Sequence, residues 1–196
     1  MENGLSEVEL KGERVTLLPM RAEHAASLAE AAADGALWNL WYTSVPDPSS
    51  VDKYIEDALA EKQKGTALPF VVFHNHAQKI IGTTRFCAIE AAHKRVEIGY
   101  TWYSESFQGT GVNTECKLLL LSHAFEHLDA IAVEFRTHWH NQKSRAAIAK
   151  LGAKQDGVLR NHRLAADGSY RDTVVFSIIE HEWPAVKVAL RHKLNR

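Results

Sequence analysis

Gln108-Gly-Thr-Gly-Val-Asn113 stands between two stretches of opposite character. Before it, Arg95-Val-Glu-Ile-Gly-Tyr-Thr-Trp-Tyr103 is rich in β-branched and aromatic residues and reads as a strand. After it, a helix from about Thr114 to His127 carries Leu118, Leu119, Leu120, Leu121 and Phe125, with Leu128 following. Glycines in a strand-to-helix turn take backbone conformations that other residues avoid, and they let an anion approach the chain. The helix start adds unpaired N–H groups and the positive end of its dipole. The stretch is therefore a candidate pyrophosphate cradle, formed by the N–H groups of Gln108, Gly109, Thr110, Gly111, Val112 and Asn113, with the Thr114 hydroxyl beside them. A short glycine motif also serves as a plain tight turn, so its neighbours must decide.

Outward from this point, extended and helical patterns alternate. Val15-Thr-Leu-Leu-Pro-Met20 reads as a first strand, and the Ala-rich residues 22–34 as a helix. Trp38-Asn-Leu-Trp-Tyr-Thr-Ser-Val-Pro46 reads as an ordered aromatic connection. Ser49 or Ser50 is placed to cap a second helix reaching about Lys64, with Val51, Tyr54, Ile55 and Leu59 on one face. Residues 69–74 and 79–87 read as strands joined at Asn75-His76, and 94–103 as the next strand. Residues 130–137 form another strand, and a short helix over about 142–150 stops at Gly152. Strands at about 156–164 and 171–179 pair across Asp167-Gly168, and Trp183-Pro184 opens a terminal helix. The order β-α-α-β-β-β-α-β-α-β-β predicts a single α+β domain over residues 1–196. Its mixed, mostly antiparallel central sheet has about seven strands flanked by helices.

Chain-wide properties narrow the function classes. A length of 196 residues suits one substantial core. The net charge of −1 gives no overall field that recruits nucleic acid or a membrane surface. Lys187 to Arg196 is locally basic, as expected of a terminal helix with one solvated face. No apolar run approaches a membrane span, and Met1 to Glu7 have neither the basic nor the apolar part of a targeting signal. Cys87 and Cys116, the two cysteines, each fall inside an apparent regular element and read as reduced packing residues of a cytoplasmic protein.

The element order, with the glycine stretch in that place, resembles the GNAT superfamily of acyl-CoA-dependent N-acyltransferases. That family's donor-binding pattern, Gln/Arg-x-x-Gly-x-Gly/Ala, stands here as Gln108-x-x-Gly111-x-Asn113, with Asn113 where the pattern has a small residue. Three further blocks resemble the RimJ/RimL-type branch: Glu97-Ile-Gly-Tyr100, Asn141-Gln-Lys-Ser144 followed by Lys150-Leu-Gly-Ala153, and Arg171-Asp-Thr-Val-Val-Phe-Ser177. The resemblance covers about residues 8–184. It implies a GNAT-like fold and transfer of acetyl from acetyl-CoA to an amine by direct attack on the thioester. It also implies that no metal is needed and that copies can pair as a homodimer through exposed sheet or helix surfaces.

The resemblance implies roles for particular residues. The strand at Thr101, Trp102 and Tyr103 is expected to splay from the strand at 130–137, at a bulge, so that the pantetheine arm lies in the gap like an added strand. A backbone N–H there meets the developing oxyanion. Trp102 and Tyr103 read equally as core aromatics. Asn141 can bond a pantetheine amide or serve as a turn or cap residue. Glu97, on the strand beside the thioester, is the candidate general base; its other reading is a structural carboxylate paired with Arg85 or Arg136. Ser144 can protonate or hydrogen-bond the leaving sulfur, or help cap its helix. Neither cysteine has an obvious base beside it in sequence, which argues against a covalent acyl-enzyme. The first two helices and their connection wall one side of the cleft, which puts Trp38, Trp41 and Tyr42, together with Arg85, on the acceptor side. Each of these also reads as ordinary packing. A protein or peptide α-amine and a small primary amine both fit as acceptor.

Two other classes compete. His123-Ala-Phe-Glu126-His127 matches the H-x-x-E-H zinc hydrolase pattern, but the chain has 11 histidines and no third ligand is placed. A non-catalytic acyl-CoA-binding module would keep the cradle and have no use for Glu97 and Ser144. A Rossmann-type nucleotide site is excluded by the glycine spacing and by the motif's place after several strands.

Overall fold

The computed structural model describes residues 6–165 and 167–195. The reading of Met1 to Leu5 as free of a targeting signal, and the final Arg196 of the basic terminus, lie outside them. The strands are β1 (Leu10–Lys11), β2 (Val15–Pro19), β3 (Leu68–His74), β4 (Lys79–Glu90), β5 (Arg95–Tyr103), β6 (Ala132–His138), β7 (Lys154–Leu164) and β8 (Tyr170–Ile179). The helices are α1 (Ala25–Ala33), α2 (Val51–Gln63), α3 (Val112–Glu126), α4 (Gln142–Leu151) and α5 (Trp183–Leu194). All eight strands join one sheet in the order β1-β2-β3-β4-β5-β6-β8-β7. Every pair is antiparallel except β5–β6. Among the described residues, no helix is long and apolar enough to cross a membrane.

Strand alternation divides the core between the two faces of the sheet. On one face Val96, Ile98, Val133, Phe135, Val174 and Phe176 pack against Cys116, Leu120 and Leu121 of α3 and Trp183, Val186 and Leu190 of α5. The Phe125 and Trp183 rings stack there with centroids 5.4 Å apart. On the other face Met20, Val71 and Trp102 meet Leu28 and Ala32 of α1 and Val51, Ile55 and Ala58 of α2. These two helices sit over β3 and β4. Farther along this second face, β5, β6 and β8 present Glu97, Glu134, Arg136 and Ser177 instead of an apolar surface.

Three details differ from the sequence reading. The two-residue β1 adds an eighth strand at the edge, too short to leave a periodic signal. Ser50 holds the N-cap position of α2 without a side-chain cap bond, and the side-chain cap lies one 3₁₀ turn upstream, Pro48–Ser50, where the Asp47 carboxylate accepts from the Ser49 N–H at 2.9 Å. Pro48, with its preset φ and no N–H, suits the first position of that turn and moves the start upstream. α3 begins at Val112, two residues before Thr114, because Gly111 takes the left-handed cap position with φ 88°.

Candidate active site

The sheet opens at its one parallel junction. Arg95, Val96 and Glu97 pair with Ala132, Val133 and Glu134, and there the β5–β6 ladder stops. β5 continues to Tyr103 and β6 to His138 with no further pairing between them. The divergence has a local cause. Opposite Thr84 of β4, β5 places two residues, Tyr100 and Thr101, since Thr83 pairs with Trp102 and Arg85 with Gly99. Tyr100 sits in the left-handed region at φ 50°, so this is a β-bulge that bends β5 away from β6.

The bent strand leads to the glycine stretch. Gly109 (φ 78°) and Gly111 (φ 88°) both occupy backbone conformations that side chains disfavour. Among the described residues, no acceptor is hydrogen-bonded to the N–H groups of residues 109–114, whereas the Gln108 N–H is used by the Glu105 carbonyl. Six successive donors thus gather at the N-terminus of the 15-residue α3. The loop is braced by side chains: Gln108 Nε2 donates to the Tyr103 carbonyl at 3.0 Å, and Thr110 Oγ1 to the Phe107 carbonyl at 2.7 Å. Asn113, the departure from the small residue of the pattern, accepts from the Tyr103 hydroxyl at 3.2 Å. That bond ties its side chain to the buried Tyr103 rather than leaving it loose over the N–H groups. Lys143 of α4 donates to Gln108 Oε1 and brings a positive charge to the cradle's edge.

Glu97 sits where β5 and β6 part. Its carboxylate is half-buried, and Arg136 Nε lies 3.5 Å from it. Burial pushes this carboxyl above its ordinary pKa; Arg136 opposes that shift and Glu134 adds to it. Glu134 behaves oppositely. Against the cost of burial, hydrogen bonds from Arg95 (2.5 Å) and Arg136 (2.9 Å) hold its carboxyl below the ordinary value. Two facing carboxylates are thus driven apart in basicity, the arrangement that separates a proton acceptor from a structural anion.

Known proteins carry the same architecture. The acetyltransferase (GNAT) domain family matches residues 14–154. The chain belongs to the GNAT acetyltransferases. YdaF of Bacillus subtilis, provisionally named a ribosomal N-acetyltransferase, is 27% identical over 149 residues, covering 75% of this chain and 80% of YdaF. A GCN5-related N-acetyltransferase from Brucella melitensis superposes with a TM-score of 0.85 at 26% identity, over 96% of this chain and 86% of that one. RimL, a ribosomal L7/L12 α-N-protein acetyltransferase solved in complex with coenzyme A, shares the fold at a TM-score of 0.74 and 21% identity, over 88% of this chain and 98% of RimL. The present chain is an acetyl-CoA-dependent N-acetyltransferase that moves acetyl to an amine.

In this GNAT domain Trp102 and Tyr103 are both core side chains, 5% and 7% exposed, on opposite faces of the sheet. What β5 offers a ligand at these positions is backbone. Asn141 is the N-cap of α4, accepting from the Ser144 N–H at 3.0 Å. The Ser144 hydroxyl makes no hydrogen bond among the described residues and is half-buried in the first turn of α4. Trp41, 64% exposed, stands edge-on to His138 at the end of β6 (4.9 Å) and near His140 (5.5 Å), with Tyr42 beside it (5.6 Å). Trp41 and Tyr42 thus reach the open end of the splay. Trp38 lies half-buried in the turn Leu37–Asn39 and enters no ring pair among the described residues.

Arg85 corrects its expected acceptor contact. It is 3% exposed, pairs with Glu61 of α2 at 3.2 Å and stacks its guanidinium 3.9 Å from the Tyr100 ring centroid. Its register position on β4, under α2, commits the charge to supporting the bulge.

Lys117 escaped the sequence reading altogether. It lies on α3, 5% exposed, and its Nζ donates to Thr101 Oγ1 at 2.6 Å, with Thr84 Oγ1 at 3.5 Å. Burial lowers this amine to about 8. One of these residues, Thr101, belongs to the bulge, and the other, Thr84, lies opposite it.

Burial raises both thiols, Cys116 to about 12 and Cys87 further, so neither is a ready thiolate. The zinc pattern on α3 is used otherwise. Glu126 accepts from Trp183 Nε1 at 2.8 Å and Lys187 Nζ at 2.5 Å, and His123 packs near Phe86.

Proposed function

We propose that this GNAT domain acetylates a primary amine at a peptide or protein N-terminus, or a small amine of similar shape, by direct attack on the thioester. One observation carries this reading: the β5–β6 gap, opened by the Tyr100–Thr101 bulge, lies alongside six unpaired N–H groups at the start of α3. A gap flanked by unpaired strand edges suits the amide-bearing pantetheine arm, and an N–H cradle at a helix start suits its pyrophosphate. Residues 109–114 would hold the phosphates, with Lys143 at the rim. β5 beyond Glu97 would pair with the arm, and Asn141 keeps its side-chain N–H₂ for a pantetheine carbonyl.

The chemistry then needs a neutral amine and a stabilised oxyanion. Glu97 takes a proton from the acceptor ammonium, directly or through water, and burial, by raising its pKa, makes it a stronger base than an ordinary carboxylate. A backbone N–H at the bulge faces the developing oxyanion. Ser144 supplies a hydroxyl for the leaving thiolate. CoA thiolate is a good leaving group, so positioning carries much of the rate. The names of YdaF and RimL favour a protein N-terminus as acceptor. Trp41 and Tyr42 would wall its entry. One domain over the whole chain, with no metal in the step, is the simplest form of this reading.

The test is calorimetric titration with acetyl-CoA, CoA and ATP, followed by mass-spectrometric detection of acetylated N-terminal peptides. Binding of both CoA species without ATP, and a gain of one acetyl on the α-amine, is expected. Acetylation confined to lysine side chains would remove the N-terminal assignment.

A further inference from the structure

β7 and β8 set Arg163 directly opposite Arg171. Like charges at cross-strand positions repel. Among the described residues, neither arginine forms an ion pair or a side-chain hydrogen bond. Asp172, the acid next to Arg171 in sequence, pairs instead with Arg160 at 2.5 Å. Arg171 is half-buried, and its Nε is shut off from solvent with no acceptor. A guanidinium N–H closed off from water without a partner is unfavourable, so its retention calls for a reason.

The surroundings supply one. Alternation along β8 puts Arg171 on the face of Thr173, Val175 and Ser177, and through the strand register that face continues to Arg136, Glu134 and Glu97. Glu97 and Tyr100 are the acidic groups whose fields reach Arg171. His162, bonded to Thr173 at 3.0 Å, lies among the same cations: burial first, then Arg163, Arg136 and Arg171, hold its imidazole below the ordinary value. One face therefore carries a carboxylate suited to an ammonium and, beyond it, a guanidinium pair with no anion. The planar fork of arginine matches a carboxylate in bidentate fashion.

We propose that Arg171, with Arg163 beside it, receives a carboxylate carried by the acceptor itself. Preferred acceptors then present an amine and a carboxylate a short distance apart. This rests on the Glu97 face being the acceptor cleft. The carboxylate comes from a free amino acid or from an acidic side chain in the first residues of a peptide.

Isosteric pairs test it: N-terminal tetrapeptides with Asp against Asn and Glu against Gln at each of the first three positions, and free amino acids against their amides. The readout is the ratio of kcat/KM within each pair. At least one acid is expected to exceed its amide tenfold or more, and whether that acid is a peptide or a free amino acid identifies the source. Arg171→Gln brings the ratio toward one, and Arg171→Lys restores part of it. Should Arg171→Gln fail to fold, the wild-type ratios decide alone. Ratios near one throughout, with measurable acetylation, overturn the carboxylate site and leave the transfer reading intact. No acetylation of any member, with acetyl-CoA bound, removes the acceptor cleft and the carboxylate site together.

Discussion

A carboxyl raised by burial becomes a base only after the pH has passed its raised value. Below that value Glu97 is protonated and cannot take the acceptor's proton; above it the carboxylate is available. We expect kcat/KM to climb through an acid limb lying above the ordinary carboxylate range. Glu97→Gln should lower kcat by about 10²- to 10³-fold and abolish that limb, with CoA affinity little changed. A limb that survives in the variant would assign the proton transfer elsewhere. Lys117 gives a prediction of different kind. Its folded value near 8 lies below the 10.5 of a free lysine, so between these values the unfolded chain binds more protons and stability rises with pH. The stabilisation is complete above the unfolded value and lost as pH falls through the folded one. Lys117→Met should flatten that rise, which by linkage is on the order of 3 kcal/mol across the window. Denaturant melts of both proteins from pH 7 to 10.5 check it; parallel curves would mean the amine is solvated.

At the scale of the element, α3 joins cradle and core. Gly111 holds φ 88° as its N-cap, and a Cβ there would meet nothing nearer than Arg14 Nε at 3.6 Å, an ordinary contact. The constraint is backbone conformation rather than space. Gly111→Val should therefore cost about 1–2 kcal/mol of stability yet turn the N–H groups enough to weaken CoA at least tenfold in calorimetry. Unaltered affinity would put the pyrophosphate elsewhere. The glycine stretch was legible in sequence because its chemistry is local: turn, dipole and donors belong to neighbouring residues. Seven of the sheet's eight strands were legible for the same reason, the two-residue β1 being too short to leave a pattern, while the splay came from the family resemblance alone. What remained hidden depends on distant partners. Lys117 stands in front of four leucines, and whether a lysine there is solvated or buried is decided by Thr101 and Thr84 on other elements. Glu97 had two candidate partners, and only the strand register selects Arg136 over Arg85, which α2 claims through Glu61. The orphan Nε of Arg171 is a property of the assembled face, with no local signature at all.

At the scale of the molecule, the sheet is a continuous eight-stranded platform with one seam left open, between β5 and β6 beyond Glu97 and Glu134. An open seam inside a sheet leaves strand edges that ordinarily invite pairing. On the proposed reading the donor's pantetheine arm enters this seam, so ligand binding should act as a missing strand and stabilise the whole fold. At a concentration of acetyl-CoA about 100 times its Kd, linkage gives about 2.7 kcal/mol. For a domain of this size that raises Tm by about 5–11 °C. Hydrogen exchange locates the effect. Amides of residues 109–114 should slow through the phosphates, and gap-facing amides of 98–103 and 135–138 through the pantetheine, while ATP leaves both sets unchanged. Slowing at 109–114 alone would mean that the cradle binds but the arm does not enter the seam. The Glu97 carboxylate would then face no thioester, and its place in the reaction would have to be given up.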